Sequence, residues 1–67
     1  MAVARVTEVT ASSTKSWQDA VDEAMGRASK TLRGITGLEV ISQKAKIVDN
    51  KISEYRVTVK ITFILEG

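Results

Sequence analysis

Ile52-Ser53-Glu54-Tyr55-Arg56-Val57-Thr58-Val59-Lys60-Ile61-Thr62-Phe63-Ile64-Leu65 is the stretch whose reading decides the fold. Tyr55, Val57, Val59, Ile61, Phe63 and Leu65 fall on one parity, and Glu54, Arg56, Thr58, Lys60 and Thr62 on the other. That is period two, the signature of a half-buried strand, with Ile64 the one lapse on the polar side. Asp49-Asn50-Lys51, just upstream, has the chemistry of a tight turn. The segment before it, Leu38 to Val48, opens with Glu39-Val40 and closes with Ile47-Val48, and reads as a strand. The two strands therefore form an antiparallel hairpin.

Further upstream the period changes. Trp17, Ala20, Val21, Ala24, Ala28, Thr31, Leu32 and Ile35 recur at helical spacing, which predicts a helix from about Trp17 to Arg33. Gln18, Asp19, Asp22, Glu23, Arg27, Ser29 and Lys30 fill its other face, acids early and bases late, as the helix dipole favours. Ser16 with Asp19 resembles a capping box, Glu23 and Arg27 stand at pairing distance, and Gly34 is a natural stop. Val3 to Thr10, rich in Val and Thr, predicts a first strand. The order is β-α-β-β. A right-handed crossover makes the first and second strands parallel, and the third then sits between them. The expected fold is a single α+β domain over residues 1–67, a three-stranded sheet wrapped on one helix.

A chain of 67 residues with no Cys and no His has neither a disulfide nor a His/Cys zinc site to support a small core. Self-association is the remaining device. Geometry says the same: a third strand of 14 residues reaches about 46 Å, and a 17-residue helix only about 26 Å. The overhang and both sheet edges need another copy. The net charge of +2 is modest, and there is no membrane-length apolar run and no signal-peptide core in the opening residues. The expectation is a soluble, cytoplasmic protein with no membrane partner.

Catalytic chemistry has little to draw on. There is no His, and Ser12, Ser13 and Ser16 have no neighbouring base. No glycine-rich phosphate loop is present; Gly34 and Gly37 only bracket a connection. The chain is expected not to be an enzyme. A nucleic-acid surface would interleave aromatics with the bases Lys44, Lys46 and Lys60, but Tyr55 and Phe63 have the helix-facing parity, so no nucleic-acid partner is expected. Trp17 reads as a core or interface anchor. Asp19, Asp22 and Glu23 are the first candidates for a hard cation, with Asp49, Asn50 and Glu54 behind them. None forms a local calcium loop, so such a site needs carboxylates from several copies.

The order, length and spacing resemble the dodecins. So do the strings Val6-Thr7-Glu8, Arg27-Ala28-Ser29-Lys30-Thr31-Leu32-Arg33, Glu39-Val40 and Phe63-Ile64-Leu65-Glu66. The resemblance implies a hollow homododecamer. It also implies flavin, FMN or riboflavin, bound in pairs at subunit interfaces and stored or sequestered.

Three positions match the family's flavin pocket, and each departs from it. Gly37, in Thr36-Gly37-Leu38-Glu39-Val40, stands where flavin-binding members place a Trp that stacks on the ring. Arg56 stands where they place a Gln on the last strand, and Lys44, in Lys44-Ala45, where they carry Arg-Gly. Ile64 replaces a further Arg. Loss of one stacking side chain is worth about 1–3 kcal/mol. The implied function is a binding or storage shell with an altered flavin site. The alternative is a calcium- or other cation-binding shell without flavin, resembling a branch with Ser16-Trp17 and Tyr55-Arg56 at the matching places.

Overall fold

The computed structural model describes residues 3–65 as β1 (Val3–Ser13), α1 (Trp17–Thr31), β2 (Ile35–Val48) and β3 (Lys51–Leu65). Glu66, part of the family-like ending, and Met1-Ala2 lie outside the described residues. The sheet order is β1-β3-β2, with β3 central and antiparallel to both neighbours, as the topology argument required. Val57, Val59 and Ile61 are buried against Ala20, Ala24 and Ala28 of the helix. The period-two reading of β3 thus holds through its centre. Ala11, Trp17, Val21 and Leu32 border this core, half-buried.

Element ends differ from the sequence reading for physical reasons. The helix stops at Thr31, two residues early, and Leu32 caps it with its N–H donating to the Ala28 carbonyl. Thr31 is exposed, and Ile35 already belongs to β2, so neither continues the apolar stripe. Gly34 acts later than a helix stop. At φ 71° it turns the chain into β2, and its carbonyl accepts from the Ile64 N–H. A Cβ there would sit 3.3 Å from the Ile64 carbonyl oxygen, so both conformation and space call for glycine. β1 runs on to Ser13 because Ala11, Ser12 and Ser13 stay paired with Val57, Arg56 and Tyr55.

Only half of the expected capping box forms. The Asp19 N–H donates to the Ser16 hydroxyl (2.9 Å), whereas the Asp19 carboxylate turns to the buried Ser13 hydroxyl (2.6 Å). The Ser13 oxygen also accepts from the Lys15 N–H, so the end of β1 is latched to the first helical turn. Glu23 and Arg27 do not close an ion pair; among the described residues the one ion pair is Arg56–Glu54.

The helix packs on β1 and β3 and leaves β2 largely uncovered, which narrows the expectation that it would cover the whole face. Val40 and Ile41 of β2 stay exposed. Beyond the row Ser13–Tyr55–Ala45 only β2 and β3 continue, as a two-stranded arm that ends in Asp49-Asn50, both at positive φ. Such a turn matches the twist of a tight hairpin. The chain measures 52 Å along its longest axis, against about 22 Å for a 15-residue helix.

Candidate functional site

The sheet has a second face, turned away from the helix, and it is polar. Its cross-strand rows are Val6–Thr62–Gly37, Glu8–Lys60–Glu39, Thr10–Thr58–Ser42 and Ser12–Arg56–Lys44. Each β3 member alternates with the buried Val57, Val59 and Ile61. The Thr10 and Thr58 hydroxyls bond to each other at 3.0 Å. Gly37, Lys44 and Arg56 therefore share one face, as a common pocket requires.

They are not together within one protomer. Lys44 and Arg56 are direct partners, but Gly37 pairs with Thr62, six residues along β3. At about 3.3 Å per residue, Gly37 and Arg56 stand about 20 Å apart. At Gly37 a Cβ would meet Thr62 Cβ at 3.8 Å, an ordinary contact, and the backbone is not left-handed. The position accepts a Cβ without backbone strain.

Like charges directly opposite on a sheet repel. The Lys44–Arg56 row is relieved by Glu54, whose Oε1 accepts from Arg56 Nε at 2.6 Å. The hydrogen bond from Arg56 is the main cause that holds the Glu54 carboxyl below its ordinary pKa. Desolvation opposes it, and the charges of Arg56 and Lys46 add to it. Sequence reading placed Glu54 among the spare cation ligands; the structure commits it to Arg56.

Asp19, Asp22 and Glu23 lie on the helix, around a surface hollow of about 250 Å³ that also includes Arg27 and Lys30. Asp19 is held by Ser13, and Asp22 accepts from the Gln18 amide at 3.0 Å. Among the described residues no three acidic groups converge as a metal site. A larger groove, about 690 Å³, runs between the free edge of β1 and the helix, past Val9, Ala11, Ala24, Arg27, Ala28 and Leu32. Sequence reading missed it, although the alanine spacing on the helix was its signal: small side chains leave room beside an edge strand.

A β-α-β-β subunit with one polar sheet face and a protruding two-stranded arm has the architecture of a small binding protein. The chain belongs to the dodecin family, whose model matches residues 3–66. It resembles dodecin from Streptomyces coelicolor at 36% identity, over 98% of this chain and 94% of that one, with a TM-score of 0.93. A single-substitution variant of Thermus thermophilus dodecin matches at 30% identity over 100% of both chains, with a TM-score of 0.95. The calcium dodecin of Mycobacterium tuberculosis, described as calcium chelating with a novel calcium-binding site, matches at 26% identity with a TM-score of 0.84. That match covers 97% of this chain and 93% of that one. No curated protein matches the sequence significantly. Dodecins are homo-oligomers that bind small ligands. No helix among the described residues is long and apolar enough to cross a membrane.

Proposed function

We propose that this chain is the protomer of a non-enzymatic, cytoplasmic homododecameric shell that binds and stores flavin at contacts between copies. The pocket is altered by Gly37, Lys44 and Arg56. One observation carries the reading: the three positions share the uncovered sheet face, yet Gly37 and Arg56 stand too far apart for one ring to touch both. A site made from both ends must combine two copies. With glycine at the stacking position the ring loses its aromatic platform, so affinity rests on Arg56, Lys44 and the flavin's contact with its pair-mate. The absence of Cys fits a reducing compartment.

The test joins mass and binding. Light scattering behind a sizing column should give twelve times the 7.3 kDa protomer mass. Riboflavin and FMN fluorescence should be quenched only by the assembled protein, at micromolar rather than nanomolar concentration. A folded monomer, or quenching at sub-micromolar concentration by wild type, refutes this reading.

A cation shell is the second reading, favoured by the likeness to the calcium-chelating mycobacterial protein. The acids of one helix do not converge, so calcium would sit at a symmetry axis or subunit contact. Calorimetry on chelator-treated protein decides: one tight calcium per isolated protomer overturns that placement.

A further inference from the structure

We propose that Glu54 is a positioning residue of the binding site: it holds Arg56 through Nε, so that the Nη end of the guanidinium, with Lys44 and Ser12 in the same row, receives a phosphate group of the ligand. This role rests on the reading that Arg56 and Lys44 face the ligand, though not on the ligand being a flavin.

Glu54 and Arg56 stand two apart on β3, so both side chains leave the same face of the sheet. The donor atom decides what their contact does. Arg56 Nε reaches Glu54 Oε1 at 2.6 Å, and among the described residues the Arg56 side chain has no other hydrogen bond or ion pair. A carboxylate set across the two Nη groups would fill the fork that recognises phosphates and carboxylates. Set on Nε, it fixes the direction of the side chain and leaves that fork open. The Arg56 side chain is still 52% exposed, so the held group stays within reach of a ligand. A free arginine spreads over many rotamers, and one already held loses less freedom on binding.

The charges around Arg56 call for an anion. Lys44 is its direct partner on β2, and Lys46 is the partner of Glu54 one row further on. Neither lysine closes an ion pair among the described residues, so three cations share one carboxylate. On its other side Arg56 pairs with Ser12 of β1, which is exposed. A phosphate monoester brings a charge of roughly −2 and acceptor oxygens on every side. Across strands about 5 Å apart it meets a guanidinium fork, an ammonium and a hydroxyl in one row. A neutral ligand does nothing to offset the repulsion between Lys44 and Arg56.

Charge and position predict opposite signs for the loss of Glu54. Were it only a neighbouring negative charge, removing it would make the site more positive and strengthen anion binding. As the residue that positions Arg56, its removal weakens anion binding. Fluorescence quenching by the assembled full-length protein compares FMN, which carries a phosphate monoester, with riboflavin, which lacks one. Wild type should favour FMN about tenfold or more. Glu54→Met keeps the length of the side chain and loses the acceptor, and should lower that preference about threefold or more. Glu54→Gln, whose amide oxygen still accepts from Nε, should restore it. In an Arg56→Lys background, which has neither Nε nor fork, Glu54→Met should lower it no further. Calorimetry with inorganic pyrophosphate should rank the variants in the same order without a flavin. That ranking in a protein that quenches no flavin supports the role of Glu54 while refuting the flavin reading. The proposal is overturned by an anion affinity that rises or stays unchanged in Glu54→Met, by Glu54→Gln failing to restore it, or by no binding of pyrophosphate to wild type.

Discussion

The indole N–H of Trp17 donates to the main-chain carbonyl of Lys44 over 3.2 Å. The same ring stands edge-on to Tyr55, with centroids 4.9 Å apart at 78°. The first helical residue therefore holds the base of the arm, on the one strand the helix does not cover. Trp17→Phe keeps the ring contact and removes the donor. It should cost about 1 kcal/mol in urea denaturation at fixed protein concentration. A cost below about 0.3 kcal/mol would show that water replaces the indole freely.

Ser13→Ala removes the hydroxyl that bonds the Asp19 carboxylate and accepts from Lys15. Hydrogen bonds to charged groups contribute about 1.5–3 kcal/mol, and Ser13 is buried. The variant should lose about 2 kcal/mol, more than the roughly 1 kcal/mol expected when the helix cap is removed by Ser16→Ala. The reverse order would relocate the latch to the cap alone.

Gly37→Trp should raise riboflavin affinity about tenfold or more, since one stacked ring contributes about 1–3 kcal/mol. Arg56→Gln restores a group that both donates and accepts. The double variant should exceed the sum of the singles, because both touch one ligand although they lie on different copies. Fluorescence quenching on the four proteins gives the cycle. A double variant that assembles normally and binds no better than wild type places the loss at Lys44 or Ile64.

Glu54 gives a pH signature. Its pKa is lowered in the folded state, chiefly by the Arg56 hydrogen bond. The carboxylate thus contributes stability that is fully present above its unfolded pKa and is lost as pH falls through the depressed folded one. The stability difference between wild type and Glu54→Gln should be constant near neutrality and vanish at strongly acidic pH. In an NMR titration Arg56→Gln should move the Glu54 midpoint up toward the ordinary carboxylate value. An unmoved midpoint would assign the shift to Lys46.

What the sequence revealed followed from periodicity. Val57, Val59 and Ile61 announced a half-buried strand because the helix covers one parity of it. The alanines at 20, 24 and 28 announced the face that packs on it. Irregularities escaped, since they depend on the partner strand. The bulges around Ile41 and Ser53 break no rule of composition, yet they decide which way Ile52 points. Gly34 was legible as a special residue, but its function is set by Ile64, thirty positions away in sequence. The candidate positions Gly37, Lys44 and Arg56 came from the family resemblance alone. That Gly37 and Arg56 share a face yet stand apart needed the register.

The central position of β3 has a consequence for biosynthesis. Both β1 and β2 pair only with β3, and the chain makes β3 after both. On the ribosome, β1 and the helix emerge with no strand to complete their sheet, and the nascent chain must wait, open, until its last strand is released. A chain interrupted before β3 has no paired sheet to offer to another copy. The order of strands thereby acts as a checkpoint, admitting only protomers that have been synthesised through to Leu65.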